Sequence, residues 1–420
     1  MLRGKFEMNS TAGKSVQHLK ATRAGSRKRV KVLHLITRLI VGGAQDNTLL
    51  TAERHDRQRY EVHVASGAGG ELAKRAEDVA DAFHVIPSLV NPISPHRDVR
   101  ALVEITRLLR RQRFDILHTH SSKAGYLGRL AARIVGIPAI VHTIHGSPFH
   151  QLQPWWTRQL YISIERSARR LADYIITLSE RDRIEFMSLG IVDPDRSQTI
   201  YTGLDFERIS SKPGLDTLRI RQTLRVPESG NLIIMVGRLD PQKAPHLLIR
   251  AFAKVLDAFP STVLAFAGDG PLSDELQSLA RELKIEGAVR FLGTRNDVPD
   301  LLASADIFCF SSLREAMGRA MLEAMFAGLP VVVPYTSGIP EVVKHNQTGL
   351  LFEVGDVDGI ASNLIDLLKH PTKRYMLGQQ GREQVLRYFD VDAMVESIEG
   401  VYESVLPIDK GATNSYFLRE

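Results

Sequence analysis

From residue 30 onwards, short apolar runs rich in β-branched residues alternate with longer amphipathic stretches. In the first half of the chain this pattern predicts seven strands, at 30–36, 60–65, 83–86, 116–119, 139–144, 174–178 and 198–201. Segments 97–113, 124–135 and 156–171 carry apolar residues three and four positions apart, which is typical of helices packed on a sheet. Because strands that alternate with helices form parallel sheets, we expect one doubly wound α/β domain here.

The same alternation starts again after a region dense in turn residues. It predicts six further strands, at 232–236, 263–267, 289–292, 307–310, 331–333 and 350–352, with helices at 356–370 and 391–405. A chain of 420 residues is also long enough for two domains. We therefore divide it into six parts: a basic arm (1–29), a first Rossmann-like domain (30–203), a linker (204–214), a second Rossmann-like domain (215–388), a helical segment (389–406) that is a candidate to cross back to the first domain, and a tail (407–420).

Composition points to a protein without covalent cross-links. Hydrophobic residues make up 44% of the chain and charged residues 24%, as in average soluble domains. The single cysteine, Cys309, lies in an apolar run, so we expect a buried thiol and a reducing compartment. No run approaches the roughly 18 apolar residues of a membrane span, and the N-terminus lacks the apolar core of a signal peptide. These features favour a cytoplasmic protein, soluble or peripheral on the inner face of the membrane.

The formal net charge of +6 is concentrated at the N-terminus. Residues 1–31 hold nine Lys or Arg but only one acidic residue, Glu7, and few large apolar residues. We interpret residues 1–29 as a mobile arm. Such an arm could bind anionic lipid or nucleic acid, but a solvated extension is the simpler interpretation, and a nucleic-acid partner has no other support in the sequence.

The loop after the strand at 232–236 carries the first candidate chemistry. Gly237 and Arg238 follow the strand directly, and Lys243 comes five residues after Arg238. An Arg offers a planar fork to phosphate oxygens and a Lys a compact charge, so the pair suits a diphosphate. An ordinary solvated basic loop would have the same composition, which leaves this pair only moderately specific by itself.

Two glutamates flank the predicted start of a helix near Gly318. Glu315 precedes the helix, and Glu323 lies roughly 7 to 8 Å into it at about 1.5 Å per residue. Free amides at a helix start attract phosphate, and carboxylates on either side could accept hydrogen bonds from sugar hydroxyls. The alternative interpretation is two surface glutamates on a helix face.

The order and spacing of several motifs resemble those of retaining glycosyltransferase family 4, whose members have the two-domain GT-B fold. In the second half these motifs are 236–243, Gly268-Asp269-Gly270-Pro271, Phe291-Leu292-Gly293, the segment 311–325, 328–332 and Gly338-Ile339-Pro340-Glu341. In the first half they are Gly42-Gly43, 115–120 and His145-Gly146. The resemblance covers about residues 30–406. It implies two Rossmann-like domains facing each other across a cleft, the first (30–203) for the acceptor and the second (215–388) for the nucleotide-sugar donor.

The resemblance also implies roles for individual residues. Arg238 and Lys243 would bind the donor diphosphate, Glu315 the transferred sugar and Glu323 the ribose, while His145 would face the sugar from the first domain. The remaining donor-binding candidates are glycines whose backbone would lie close to the donor: Gly42, Gly43, Gly237, Gly268, Gly270 and Gly318. Ala316, Met317 and Ala244 depart from the family pattern, which bears on sugar preference more than on activity.

The implied reaction is sugar transfer with retention of anomeric configuration. The donor would be a nucleotide-diphosphate sugar, with a UDP-sugar favoured, and the acceptor a saccharide or lipid-linked saccharide. No cofactor and no metal are expected, because the two cations can neutralise the leaving diphosphate and no His or Cys spacing indicates a zinc site. Two alternatives remain open: a sugar-nucleotide epimerase or hydrolase on the same fold, and a non-catalytic nucleotide-sugar-binding subunit.

The sequence also contains two weaker patterns. Acid-x-acid pairs at 193/195, 356/358 and 390/392 have the spacing of some metal sites, but turns and helix caps explain them better. Trp155 and Trp156 begin a basic amphipathic segment that contains Arg158, Arg166 and Arg170. This segment suits an anionic membrane surface, although buried tryptophans and solvated arginines explain it almost as well.

Overall fold

The computed structural model describes residues 28–407 except 147–148, 150–153 and 213. The predicted basic arm lies outside the described residues up to residue 27, as does the predicted tail from residue 408. Within the described part of the chain, two parallel sheets are each covered by helices.

The first sheet has seven parallel strands in the order β3-β2-β1-β4-β5-β6-β7. The strands are β1 (Val30–Leu35), β2 (Tyr60–Ser66), β3 (Ala82–Val85), β4 (Ile116–His120), β5 (Ala139–Ile144), β6 (Tyr174–Thr177) and β7 (Ser197–Thr199). The helices are α1 (Gly43–Arg54), α2 (Ala73–Val79), α3 (Pro95–Gln112), α4 (Ser122–Val135), α5 (Trp155–Arg169) and α6 (Glu180–Ser188). The strand order reverses between β1 and β4, so ligands are expected beyond their carboxyl ends.

The second sheet has six parallel strands in the order β10-β9-β8-β11-β12-β13. These are β8 (Asn231–Val236), β9 (Thr262–Ala267), β10 (Val289–Phe291), β11 (Ile307–Cys309), β12 (Val331–Pro334) and β13 (Leu350–Phe352). The helices are α7 (Thr217–Thr223), α8 (Pro245–Ala258), α9 (Ser273–Glu282), α10 (Val298–Ser304), α11 (Arg319–Phe326), α12 (Ile339–Val342), α13 (Val357–Lys369), α14 (Pro371–Tyr388) and α15 (Val391–Val405). Here the order reverses between β8 and β11. The loop after β8 carries Arg238 and Lys243, and the segment after β11 carries Glu315 in a loop and Glu323 in α11.

Burial on both faces explains why the strands of the second sheet are almost purely apolar. Every residue of β9 is buried, as are all three residues of β11. Helices cover both sides of such a sheet, so polar residues have no solvent face to occupy. Cys309 lies in β11 with no exposed surface, and burial raises the pKa of its thiol, which makes it an inert core residue.

The closing helix α15 packs on the first sheet although it follows the second in the chain. Its buried residues Val391, Met394 and Ile398 belong to the same apolar cluster as residues of β1 and β2. The Leu204 amide donates to the Phe389 carbonyl oxygen at 2.8 Å, where the chain leaves the first sheet and where it returns. The chain therefore passes twice between the two sheets, side by side.

Helix α14 has no counterpart among the segments predicted from the sequence. Its buried residues are Leu377, Gly378, Gly381 and Val385. Two of these four are glycines, so the face that packs against the second domain has no apolar repeat for pattern reading to detect. Two of the three acid-x-acid pairs cap helices, as the sequence predicts. Asp356 and Asp390 accept hydrogen bonds from first-turn amides of α13 and α15.

No helix in the described ranges is both long enough and apolar enough to cross a membrane.

Candidate active site between the two sheets

The start of α11 in the second domain lies against the start of α1 in the first. Arg319 Nη2 is 2.6 Å from Asp46 Oδ2, and Arg319 Nη1 donates to the Gly203 carbonyl oxygen at 3.3 Å. A side-chain carbon placed on Gly43 would be 3.9 Å from the Arg319 Cβ. Gly42 caps α1 and Gly43 is its first residue, so the glycines predicted to approach the donor lie opposite α11.

A second contact between the domains involves the first turn of α6. Glu341 accepts hydrogen bonds from the Glu180 and Arg181 amides at 2.9 and 2.7 Å, and from the Tyr201 hydroxyl at 3.0 Å. A carboxylate at a helix N-terminus satisfies free amides and complements the helix dipole. Carboxyl edges of both sheets thus face one cleft, and the contacts to α1 and α6 define two places where the domains touch.

The structure brings Lys243 and Glu315 together at this cleft. Lys243 Nζ forms an ion pair with Glu315 Oε1, and the Ser312 hydroxyl donates to the same oxygen at 2.8 Å. Arg238 remains half exposed, with its Nη2 3.0 Å from Asp240 Oδ2. The loop after β8 therefore carries two cations. Arg238 is half exposed beside Asp240, and Lys243 is paired with a carboxylate from the loop after β11.

Glu323 lies one turn into α11 and pairs with a different cation. Arg319 Nε lies 3.1 Å from Glu323 Oε1. Burial raises the pKa of Glu323, while the neighbouring Arg319 opposes that change. Gly318 caps the same helix with φ +68. The two predicted glutamates therefore flank the start of α11, each with its own cation.

Gly268 and Gly270 shape the loop that carries Arg238. A side-chain carbon on Gly268, whose φ is +151, would lie 1.9 Å from the Gly237 carbonyl oxygen. One on Gly270 would lie 2.4 Å from the Leu239 carbonyl oxygen. The loop after β9 therefore packs backbone to backbone against residues 237–239. The backbone of both glycines thus supports the basic loop, and donor binding by these glycines stays a prediction.

His145 follows β5 directly and lies at the carboxyl edge of the first sheet. Its Nε2 is 2.9 Å from His120 Nδ1, and its buried Nδ1 has no hydrogen-bond partner in the part of the chain that the structure describes. Burial lowers the pKa of His145 to about 4, so the ring is neutral near pH 7. A neutral imidazole with one ring nitrogen unpartnered can offer that nitrogen to a ligand.

Sequence reasoning missed Arg319, which contacts both Asp46 and Glu323. A signal for it exists in the sequence. An Arg in the first turn of a helix is disfavoured by the helix dipole, so its presence at the start of α11 indicates acidic partners nearby. The partner in α1 could not be found from the sequence because it lies 273 positions earlier in the chain.

Comparison with known proteins agrees with this geometry. Residues 41–208 match the family model "Glycosyltransferase Family 4" and residues 216–384 match "Glycosyl transferases group 1". The chain is 31% identical to N-acetyl-alpha-D-glucosaminyl L-malate synthase of Bacillus anthracis, with 84% of this chain and 91% of that protein covered. It is 29% identical to UDP-Gal:alpha-D-GlcNAc-diphosphoundecaprenol alpha-1,3-galactosyltransferase of Escherichia coli, covering 89% of this chain and 97% of that protein.

Solved structures show the same arrangement of domains. Anabaena Alr3699/HepE in complex with UDP-glucose superposes with a TM-score of 0.78 at 25% identity, covering 90% of this chain and all of the other. WaaG, a glycosyltransferase of lipopolysaccharide biosynthesis, superposes with a TM-score of 0.72 at 20% identity over 89% and 99% of the two chains. The fold and its cleft therefore define a GT-B glycosyltransferase. Given these matches, the chain belongs to glycosyltransferase family 4.

The close packing beneath Arg238 yields a prediction. Gly270→Ala should lower kcat/KM for the donor by about 10- to 100-fold, because displacement of a binding group by about 1 Å can cost that much. Initial rates at varied donor concentration measure this effect. Gly287→Ala is the matched control, since a side-chain carbon there meets nothing within 4 Å. Equal activity of the two variants would show that the loop after β9 does not position Arg238.

Proposed function

We propose that this protein transfers a hexose from a UDP-sugar to a saccharide carried on a lipid diphosphate, with retention of configuration and without a metal ion. The observation that carries this proposal is the pairing of Lys243 with Glu315 at the carboxyl edge of the second sheet, in the same loop as the half-exposed Arg238. The Escherichia coli relative, named for a UDP-sugar donor and a lipid-diphosphate acceptor, supports the substrate classes, as does the UDP-glucose complex of HepE. The Bacillus anthracis relative is named for malate, so similarity alone leaves the acceptor to be tested.

The donor diphosphate would replace one carboxylate as the partner of Lys243. Glu315 now holds the Lys243 ammonium, and a diphosphate entering the cleft offers it more charge. Arg238, which is half exposed beside Asp240, would contact the same oxygens. Together with the free amides at the start of α11, these groups would stabilise the negative charge that grows on the leaving UDP.

Release of Lys243 would in turn free Glu315 for the sugar. Its carboxylate would then accept from sugar hydroxyls next to the carbon that gains positive charge as the diphosphate departs. The acceptor hydroxyl would attack from the face that the diphosphate leaves, which retains the configuration. An epimerase or hydrolase on the same fold would instead yield an altered donor or free sugar without any acceptor.

The proposal predicts acceptor-dependent UDP release that continues in EDTA. The assay uses the purified protein with UDP-galactose, UDP-glucose or UDP-N-acetylglucosamine and a short-chain polyprenyl-diphosphate-linked N-acetylglucosamine. We expect one donor to give a glycosylated lipid whose new linkage is α by NMR, at an unchanged rate after chelation, because side chains neutralise the diphosphate. Loss of activity in EDTA with recovery on adding Mn²⁺ would contradict metal independence, and free sugar as the product would favour the hydrolase.

The two glutamates are predicted to give different kinetic patterns. Glu323 would hold the ribose, which does not change during the reaction, so Glu323→Ala should raise the donor KM by about 10- to 100-fold with less effect on kcat. Glu315→Gln keeps the shape of the side chain but removes the charge next to the reacting carbon, so kcat should fall by more than the donor KM rises. Steady-state kinetics for both variants measure the difference. Reversed patterns, or two nearly silent variants, would show that the carboxylates are placed wrongly around the donor.

An anionic membrane surface is the partner we propose for α5. Trp155, Trp156 and Leu160 are 77%, 61% and 53% exposed, on a helix that also carries Arg158 and ends beside Arg170. Exposed apolar side chains among arginines suit the boundary between lipid headgroups and acyl chains, where a lipid-linked acceptor would be found.

Replacing both tryptophans by serine should therefore weaken binding to vesicles that contain phosphatidylglycerol, with little effect on donor affinity. Co-sedimentation with anionic and with neutral vesicles measures the change. Tyr375→Ser/Tyr388→Ser is the matched control, because these aromatics on α14 are also exposed, at 67% and 58%. Equal binding by both double variants would overturn the assignment of α5.

A further inference from the structure

Four histidines from four separate elements form one hydrogen-bonded row through the first domain. The row begins at His145 beside the cleft and ends at Glu399 on the crossing helix α15. Its successive nitrogen–nitrogen distances are 2.9 Å for His145 Nε2 to His120 Nδ1, 3.1 Å for His120 Nε2 to His34 Nδ1 and 3.1 Å for His34 Nε2 to His55 Nε2. The last link joins His55 Nδ1 to Glu399 Oε1 at 2.8 Å. His34, His55 and His120 are at most 3% exposed, so water does not compete for these bonds.

The carboxylate at the end of the row determines which nitrogen is the donor in every hydrogen bond of the row. Glu399 Oε1 can only accept, and it also accepts from the Asp56 amide at 3.1 Å. His55 Nδ1 must therefore carry the proton, which leaves His55 Nε2 as an acceptor for the N–H of His34. A neutral imidazole has one donor and one acceptor nitrogen. Once the donor nitrogen of His55 is fixed, the donor nitrogens of His34 and His120 are fixed in turn.

The row ends with a defined tautomer at the cleft. His120 donates through Nε2 and accepts through Nδ1, so His145 must carry its proton on Nε2. Its Nδ1 then has a free lone pair, and this is the buried atom for which the described residues provide no partner. Burial lowers the pKa of His34, His55 and His120 as well as that of His145, which keeps the rings neutral.

A metal is not needed to explain this cluster. His34, His118 and His120 bring ring nitrogens within 4.8 Å of one another. Each of the six nitrogens already has a hydrogen-bond partner, however: those of His118 are bonded to the Tyr402 hydroxyl at 2.6 Å and to the Thr143 hydroxyl at 2.7 Å. A bound ion would have to break these bonds, which satisfy the buried polar groups as they stand.

We propose that Glu399, His55, His34 and His120 are positioning residues that hold His145 in its Nε2-protonated tautomer, so that Nδ1 accepts a hydrogen bond from a hydroxyl of the transferred sugar. This inference rests on the proposed function for its ligand. A site built to accept from a hydroxyl discriminates against the analogue that lacks it, because its own buried acceptor is then left unpaired. Selection of the sugar would thus depend on a glutamate on the far side of the domain.

The first test reads the tautomer directly in the full-length protein labelled with ¹⁵N-histidine. Two-bond ¹H–¹⁵N correlation spectra distinguish the two neutral forms, and His145→Gln assigns the signal. We expect His145 to be protonated on Nε2 in the wild type. In Glu399→Gln the amide can either donate or accept, so both tautomers should appear at His55 and His145. A wild-type His145 protonated on Nδ1 overturns the proposal, whether or not any variant folds.

The second test measures whether the row affects the use of one particular sugar hydroxyl. Glu399→Gln should lower kcat/KM by roughly 2- to 10-fold for the natural donor, the effect of one neutral hydrogen bond. For one donor in a series of monodeoxy UDP-sugars the same substitution should have no effect, since the hydroxyl in question is already missing. Glu403→Gln on the same helix is the control, because Glu403 is half exposed and pairs with Arg59 at the surface.

The outcomes separate this inference from the proposed function. Equal losses for every monodeoxy donor in Glu399→Gln would show general damage and overturn the role of the row. If no UDP-sugar is turned over or bound by the wild type, the proposed function fails instead, while the tautomer spectra still report on the row itself. If wild type and Glu399→Gln show the same His145 tautomer, Glu399 does not set the direction of the hydrogen bonds in the row.

Discussion

Arg319 is a side chain that couples the position of the first domain to the candidate site in the second. Its guanidinium contacts Asp46 on α1, the Gly203 carbonyl where the chain leaves the first sheet, and Glu323 on its own helix. A planar guanidinium can bond acceptors on several edges at once, and these acceptors offset the unfavourable position of a cation at a helix start. The placement of Glu323 is therefore tied to the position of the first domain. Any movement that opens the cleft must break the bond to Asp46 and change the charge around Glu323.

The parallel sheets could be predicted almost completely from the sequence. All thirteen predicted strands are confirmed, with ends that differ by at most two residues. Most of them are short apolar runs because a sheet covered by helices on both faces leaves little room for polar residues. Helix α14 was missed for the opposite reason. Its packing face contains Gly378 and Gly381, and a contact made by glycine backbone leaves no apolar repeat in the sequence.

The candidate site was only partly accessible to the same reasoning. Motif spacing singled out Lys243, Glu315 and Glu323, but not which cation each carboxylate pairs with in the free protein. Such pairings depend on loops that are distant in sequence and close in space. The histidine row illustrates the limit further. Motif reading singled out His145, whereas the three histidines and the glutamate behind it come from four other parts of the chain, and their role follows only from their hydrogen bonds.

The crossing of α15 to the first sheet has a consequence for how the chain folds during synthesis. Tyr402 and Ile398 complete a core whose other members lie mostly before residue 201. When the first seven strands have been synthesised, the apolar face that α15 will cover is therefore still exposed to solvent, as is the ring of His55, which packs against Tyr402 in the finished protein. Domains usually fold as units in the order of their synthesis, but here the core of the N-terminal unit cannot be completed until α15, which follows the second domain in the chain, has been made. The exposed surface of that intermediate, rather than the stability of the finished protein, is then what a chaperone would recognise.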